Sequence, residues 1–403
     1  MNTEKITTKH SSHCVNIANS KPESLRKIAT SFTAVRVYDG GHIGVAGQIG
    51  KTDTSHLQKC AEEALARKIP YPCAFTTDRK KKNKVASIIE PQKLIETANA
   101  LTERIRAQMP EFTFSGKAET DTVEKAYCNS VGSELEYAGN NFKISLSFKE
   151  KTSQSIHDFF YGFHSLTYDE TAIADDCTML GNAYTNKIAP PAAKLPLALD
   201  SGLLFRFLIR DLIAETYFSN AGKFAGRLGS KLFSDKLTVT VDRGADENAA
   251  LPFFDAEGTL DSGFEIIENG TLKGLFTNKR SAVAFNRPLS ASAACEQFDS
   301  VPSYGAEGLC VKPNADSLSL LADRFIYVAV TSGGDIAPNG TVGLPVQLAF
   351  LVENWHIVGR LPELKITANI FDLLGGAYLG TAKNSLFRSP CGLLDLFDAV
   401  AKV

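Results

Sequence analysis

The stretch Phe32-Thr33-Ala34-Val35-Arg36-Val37-Tyr38-Asp39-Gly40-Gly41-His42-Ile43-Gly44-Val45-Ala46-Gly47-Gln48-Ile49 decides the fold. β-Branched and aromatic residues dominate Phe32 to Tyr38, with Val35 and Val37 on one face, and Ile43, Val45, Gly47 and Ile49 continue with period two. Asp39-Gly40-Gly41 between them is a turn, because glycine takes positive φ at no steric cost. The pattern predicts a hairpin. A helix follows: Asp53 or Thr54 can cap it, and Leu57, Cys60, Ala61, Ala64 and Leu65 form one apolar stripe at helical spacing. Strand, turn, strand and helix make one α+β unit that closes near Pro70 and Pro72.

Outward from this unit, Asp78 to Lys84 carries Arg79, Lys80, Lys81, Lys82 and Lys84. Like charges repel and extend a chain, so this stretch reads as a solvated linker. Pro91 suits a first helical turn, Leu94, Ile95, Ala98, Leu101 and Ile105 supply an apolar face, and Pro110 ends the helix. Phe112 and Phe114 open a β region. Phe142, Ile144, Leu146 and Phe148 alternate with Lys143, Ser145 and Ser147 as a half-buried strand. Asp169 to Ile188 has helical periodicity, and Pro190-Pro191 marks a second boundary. Beyond it, Leu203 to Ile213 reads as a mostly buried helix. Leu237–Val241, Phe325–Val330, Val346–Val352 and Leu364–Ile366 read as strands, and Phe264 to Phe276 as a hairpin about Asn269-Gly270. The expectation is an α+β protein. An N-terminal α+β region (hairpin plus helix, 1–78, then helix-strand-helix, 79–190) precedes a mainly antiparallel, β-rich C-terminal domain (191–403).

A chain of 403 residues is too long for one ordinary core and long enough to need no staple. The net charge of −2 offers no global field for phosphates, which argues against nucleic acid as a main partner. Met1 to Ser20 lacks an apolar signal core, and no run of about 18 apolar residues predicts a membrane span. The eight cysteines include no Cys-x-x-Cys. Reduced thiols and a cytoplasmic location are the expectation.

Motifs for chemistry are sparse. The seven histidines form no His-Glu-x-x-His or His-Glu-x-x-x-His, and none occurs from Ser165 through Trp355. Catalytic zinc normally takes three protein ligands, usually including imidazole. His157 and His164 read as packing residues, and His13 and Cys14 as part of a frayed N-terminal stretch. Asp255 and Glu257 form a close carboxylate pair of the kind that serves acid–base work, but between Pro252 and Gly258 a solvated turn is the safer reading. Arg206, Arg210 and Asp211 interrupt an apolar helix. They either line a cleft or subunit contact, or mark a face that reaches solvent.

Several stretches, in this order and spacing, resemble the TldD/TldE (PmbA) metallopeptidase family. They are Leu228-Gly229-Ser230-Lys231-Leu232, Leu237-Thr238-Val239, Pro252-Phe253-Phe254-Asp255-Ala256-Glu257-Gly258 and Ile267 to Gly274 followed by Ser281-Ala282. Val35 to Gly40 with Gly44-Val45-Ala46, Asn129-Ser130-Val131-Gly132, and Ile366 to Ile370 with Asp372-Leu373-Leu374 agree, although the family commonly has glycine where this chain has Ala368. The resemblance implies paired subunits: one with zinc on a His-Glu-x-x-x-His helix plus a late cysteine, which cleaves unfolded or modified peptides, and one without the ligands. The matching helix here, roughly Leu203 to Phe218, has no histidine, and Cys391-Gly392 resembles the late Cys-Gly. The chain is thus similar to the TldE/PmbA-like, non-catalytic branch. It is expected to bind no cofactor, with zinc in a TldD-like partner. Arg206, Arg210, Asp211, Asp255, Glu257, Gly258, Asn369 and Cys391 are candidates for a cleft or interface. A free-standing homodimer that binds peptide or another small ligand without catalysis is the alternative, and a stand-alone peptidase with an unfamiliar metal site a third reading.

Overall fold

The computed structural model describes residues 1–246, 249–399 and 401–402, the last pair by backbone alone. Its first half supplies β1 (Asn2–Ala18), β2 (Lys21–Asp39), β3 (His42–Ile49), α1 (Thr54–Ala64), β4 (Ile69–Pro70), β5 (Arg79–Lys84), α2 (Leu94–Gln108), β6 (Phe112–Asn129), β7 (Glu134–Glu150), β8 (Phe159–Ser165) and α3 (Glu170–Thr185). The expected hairpin is β2–β3, with Asp39 opposite His42. Asp53 caps α1 by accepting the Ser55 and His56 N–H groups, and Leu57 and Ala61 bury against Val35 and Val37. One eight-stranded sheet runs β4-β3-β2-β1-β6-β7-β5, with β8 also on β7. All its pairings are antiparallel except β5–β7.

Two expectations need correction here. The N-terminal stretch is not frayed: β1 lies at the centre of the sheet between β2 and β6, and Cys14 is buried in it. Nor is the basic cluster a linker, because Arg79–Lys84 pairs in parallel with Glu134–Gly139. The facing strand supplies the compensating charge: Lys81 lies 2.6 Å from Glu136, and Arg79 4.0 Å from Glu134. The sheet therefore continues across residue 78, and segments 1–78 and 79–190 share it.

The second half supplies β9 (Leu197–Asp200), α4 (Leu203–Arg206), α5 (Ala214–Phe218), β10 (Val239–Val241), β11 (Phe264–Glu268), β12 (Thr271–Leu272), α6 (Lys279–Phe285), β13 (Ala293–Ala294), β14 (Ser303–Tyr304), β15 (Leu309–Val311), β16 (Arg324–Thr331), β17 (Asp335–Ile336), β18 (Thr341–Glu353), β19 (His356–Arg360), β20 (Leu364–Asn369), α7 (Ile370–Leu373), β21 (Tyr378–Lys383), β22 (Leu393–Phe397) and β23 (Ala401–Lys402). A nine-stranded sheet runs β21-β22-β9-β16-β18-β20-β23, with β17 and β19 also on β18. A four-stranded sheet runs β12-β11-β10-β15. The β11–β12 turn is Asn269-Gly270 with φ of 46° and 77°, the doubly positive geometry a two-residue hairpin needs. Only β9–β16 is parallel among the named pairs of the nine-stranded sheet, so the α+β, mainly antiparallel expectation stands.

The expected continuous helix from Leu203 to Ile213 is broken. It becomes α4, a 3₁₀ turn at Ile209–Leu212, and α5 beyond an extended Ile213 (ψ 135°). Tertiary hydrogen bonds cause the break: Phe276 N–H donates to Leu212 O at 2.8 Å, and Ala214 N–H to Phe276 O at 3.1 Å. They satisfy backbone groups that the helix would otherwise pair internally.

One core joins the two halves. Val15, Leu101, Ile105, Phe114, Phe148, Phe159 and Leu180 pack with Ala198, Phe325, Phe350 and Leu396. Phe148 is fully buried and stacks on Phe159 at 4.5 Å between centroids. Phe148→Ala is expected to cost about 3–5 kcal/mol, the range for truncating a buried aromatic. A urea melt read by far-UV circular dichroism checks this as a lowered midpoint.

Candidate functional site

Asp255 and Glu257 do not form the solvated turn expected of them. Both are 1 % exposed, inside a polar cluster that ties the first sheet to the second half. Asp255 accepts the N–H groups of Glu257, Thr259 and Ala293, and so shapes the turn by itself. Gly258 in that turn has φ of 73° and lies against the Tyr127 ring, where a Cβ would come within 2.5 Å of a ring carbon. Glu257 accepts the Lys279 N–H at 2.8 Å and the Tyr71 hydroxyl. Burial first, and then the charge of Asp255, push its carboxyl up to about 7. At the centre, Arg36 donates to Glu4 at 2.5 Å, to Ala256 O at 2.8 Å, and to the Cys295 sulfur at 3.1 Å. Tyr38 and Tyr127 also donate to Glu4. Burial and then Arg243 push the half-buried Lys125 down to about 8. Every named carboxylate is held by donors, an arrangement that fastens rather than reacts.

The remaining sequence candidates are dispersed. Arg206 and Arg210 are exposed, whereas Asp211 is buried and pairs with Lys223 at 3.0 Å. Asn369 caps α7 by accepting the Phe371 N–H, and donates to Asn339 O. Cys391 is exposed, its thiol donating to Leu393 O at 3.0 Å.

The loop that bears Cys391 nevertheless walls a cleft, although Cys391 itself lines neither of its cavities. β8 pairs with β7 on one edge, and no strand among the described residues pairs with its other edge. Two adjoining cavities of about 270 and 400 Å³ follow β8. Phe159 to Gly162 line the first and Phe163 to Ser165 the second. The opposite wall is the loop 384–392 that bears Cys391, with Tyr327 and Ala329 of β16 on the first cavity. Asp200, at the end of β9, sits in this first cavity and accepts the Tyr327 hydroxyl at 3.3 Å. Burial above all pushes Asp200 up to about 6. The one sequence signal for it is a carboxylate that closes the apolar run Leu197-Ala198-Leu199.

The residues around Cys391 do not fit a zinc ion. Its carboxylate neighbours are Asp200 and Asp395, with no imidazole. Both Asp395 oxygens are committed: Ser201 and Thr381 hydroxyls donate to one, and the Gly202 N–H to the other. No cluster of three His, Cys, Asp or Glu side chains able to hold a metal occurs among the described residues.

Residues 199–391, bounded closely by Asp200 and Cys391, match the PmbA/TldA metallopeptidase C-terminal domain. The chain is 26% identical over 153 residues to a zinc metalloprotease TldD homolog of Saccharolobus solfataricus, covering 37% of this chain and 34% of that one. It is 25% identical over 211 residues to a metalloprotease of Methanocaldococcus jannaschii, covering 50% and 46%. The chain thus matches less than half the length of either relative. In fold, the crystal structure of TldE from Thermococcus kodakarensis superposes with a TM-score of 0.81 at 17% identity, over 99% of this chain and 96% of that one. An α+β platform with a metallopeptidase-type C-terminal domain is therefore the class of this molecule. Residues 199–391 thus form a PmbA/TldA-type domain, and the relatives support the TldD/TldE (PmbA) family for the chain.

Two outcomes test the buried cluster. Arg36→Leu removes the guanidinium that pairs with the buried Glu4 carboxylate and is expected to cost about 3–5 kcal/mol, as when one partner of a buried ion pair is removed. Chemical denaturation of the variant against the parent measures it. Glu257 titrates near 7 when folded against an ordinary 4.5, so the folded state holds its proton more tightly. Stability from this group is full below pH 4.5 and declines up to about pH 7. Glu257→Gln lacks this titration, so the parent's melting temperature should fall relative to the variant's across that window and run parallel above it.

Proposed function

We propose that this chain is a TldE-like subunit that pairs with a zinc-bearing TldD-like subunit and helps to present extended peptide to it. The observation that carries this reading is family likeness without the family's donor set. No histidine lies between Ser165 and Trp355, and the stretch that resembles the ligand helix is broken into short turns. The peptide side of the reading is supported by the unpaired edge of β8. Sheet edges bind extended backbone through main-chain hydrogen bonds, with pockets for alternate side chains. A cytoplasmic setting belongs to the same proposal; no helix among the described residues is long and apolar enough to cross a membrane.

The test is to mix the purified chain with a TldD-like zinc subunit, and to follow co-elution on size exclusion and cleavage of an unfolded peptide. Co-elution with faster cleavage than the zinc subunit alone is expected. Separate elution with no gain in cleavage would refute pairing. The free-standing homodimeric binder draws on the same β8 edge. Native mass spectrometry of the isolated chain with peptide distinguishes it, as a peptide-loaded dimer that needs no second subunit.

A further inference from the structure

The cavity at the start of β8 differs from an ordinary packing gap in having one under-supplied charge. Aromatic rings stand in its walls beside polar groups: Tyr161 of β8, Tyr327 and Phe350 of the second sheet, and Phe387 of the loop 384–392, with Ser145 and Ser389. The Tyr327 and Phe387 rings meet edge to face at 5.5 Å. Asp200 is half-buried among them. Only Oδ1 is engaged, by the Tyr327 hydroxyl, and no described residue donates a hydrogen bond to Oδ2. Asp395 contrasts with it: its two oxygens take three donors.

The charged and titratable groups around Asp200 do not neutralise it. Arg206 of α4 lies within electrostatic reach but is exposed and is not in the cavity wall. Tyr327 of β16 is a neutral donor. Asp395 of β22 disfavours ionisation of Asp200, and Cys391 of the loop is an uncharged thiol that bonds elsewhere. A poorly hydrated carboxylate among aromatic rings is complementary to a cation. The carboxylate supplies a charge-assisted hydrogen bond, and ring faces attract positive charge. An anion would be repelled, and a neutral apolar group would leave Oδ2 buried without a donor.

We propose that this cavity is a subsite for a primary ammonium group, that of a lysine side chain or of a peptide's free N-terminus. The cavity of about 270 Å³ has room for several methylenes as well as the charged head. Because Phe159 to Gly162 of β8 form one side of it, a strand added to the β8 edge would direct an alternate side chain, or its terminus, toward Asp200. The inference rests on the peptide reading above only for the source of the ammonium; the subsite itself is a property of the isolated chain.

Isothermal titration of the isolated chain with pentylamine, and separately with pentanol, tests the chemistry directly. Pentylamine should bind more tightly by roughly tenfold or more, as a hydrogen bond to a charged group implies. That advantage should vanish in Asp200→Asn, which keeps an acceptor for Tyr327, and should fade in the parent as pH drops below about 6, where Asp200 takes up a proton. Equal affinity for amine and alcohol in the parent overturns the proposal, whether or not the variant folds. A second arm uses four peptides with lysine or norleucine, each with a free or acetylated N-terminus. Loss of affinity on changing lysine to norleucine assigns the side chain, and loss on acetylation assigns the terminus. Pentylamine binding without any peptide binding refutes the peptide reading and leaves the subsite standing; peptides that bind alike, with no preference for pentylamine, do the reverse.

Discussion

The buried ion pair between Glu4 and Arg36 is the interaction on which the arrangement of the two halves depends. Both side chains are almost wholly removed from water, at 2.5 Å from each other. Such a pair is expensive to bury, and the desolvation is offset only if the remaining polar atoms find partners. All but Arg36 Nε find them in distant parts of the chain: Tyr38 and Tyr127 from the first sheet, Ala256 O and the Cys295 sulfur from the second half. Lys279 completes the cluster, 3.9 Å from Glu4 and bonded to Glu257 O. The charges in β1 and β2 are satisfied only when residues 252–258 and 279–295 are docked.

This fastening explains why the family-like carboxylate pair is not a reactive one. Asp255 is held by three backbone N–H groups and Glu257 by the Tyr71 hydroxyl and the Lys279 N–H, and both are buried. The cleft along β8 is the opposite case. There the two sheets share an apolar core, yet a strand edge and one carboxylate oxygen are left without protein partners among the described residues. Polar groups without partners in a partly desolvated cleft are costly, and a ligand that supplies the missing bonds recovers that cost. Hydrogen-bonded carboxylates at the interface and a half-engaged carboxylate in the cleft separate the structural role from the proposed binding role.

Local periodicity was enough to read much of the scaffold. The β2–β3 hairpin, α1 with its Asp53 cap, α2, the alternating strand within β7, and the Asn269-Gly270 turn all follow from residue spacing and turn chemistry. β1 escaped because polar residues take buried positions in it: Glu4 and Ser12 are buried along with Ile6, Cys14, Val15 and Ile17, so no apolar alternation shows. β5 escaped because its positive charges are offset by Glu134 and Glu136 on a strand fifty residues away. Leu203–Ile213 misled in the other direction: an apolar run with helical spacing was interrupted by hydrogen bonds to Phe276, which no local pattern reports. The cleft was legible only in part, through Cys391; Asp200 and Tyr327 are 127 residues apart and acquire meaning by meeting.

By itself, the sequence determined the inventory: which donors exist, where turns must fall, and that imidazole is missing from Ser165 to Trp355. These are matters of composition and of neighbours within a few residues, where backbone geometry constrains the outcome directly. The tertiary structure alone decided which carboxylates are fastened and which is left short of a partner. Asp255, Glu257 and Asp200 are chemically similar side chains, and their protonation and reach depend on hydration and on donors as far as 38, 186 and 127 residues away, respectively. Burial is a property of the assembled chain, so the contrast between a staple and a binding cleft could not be written into any single stretch.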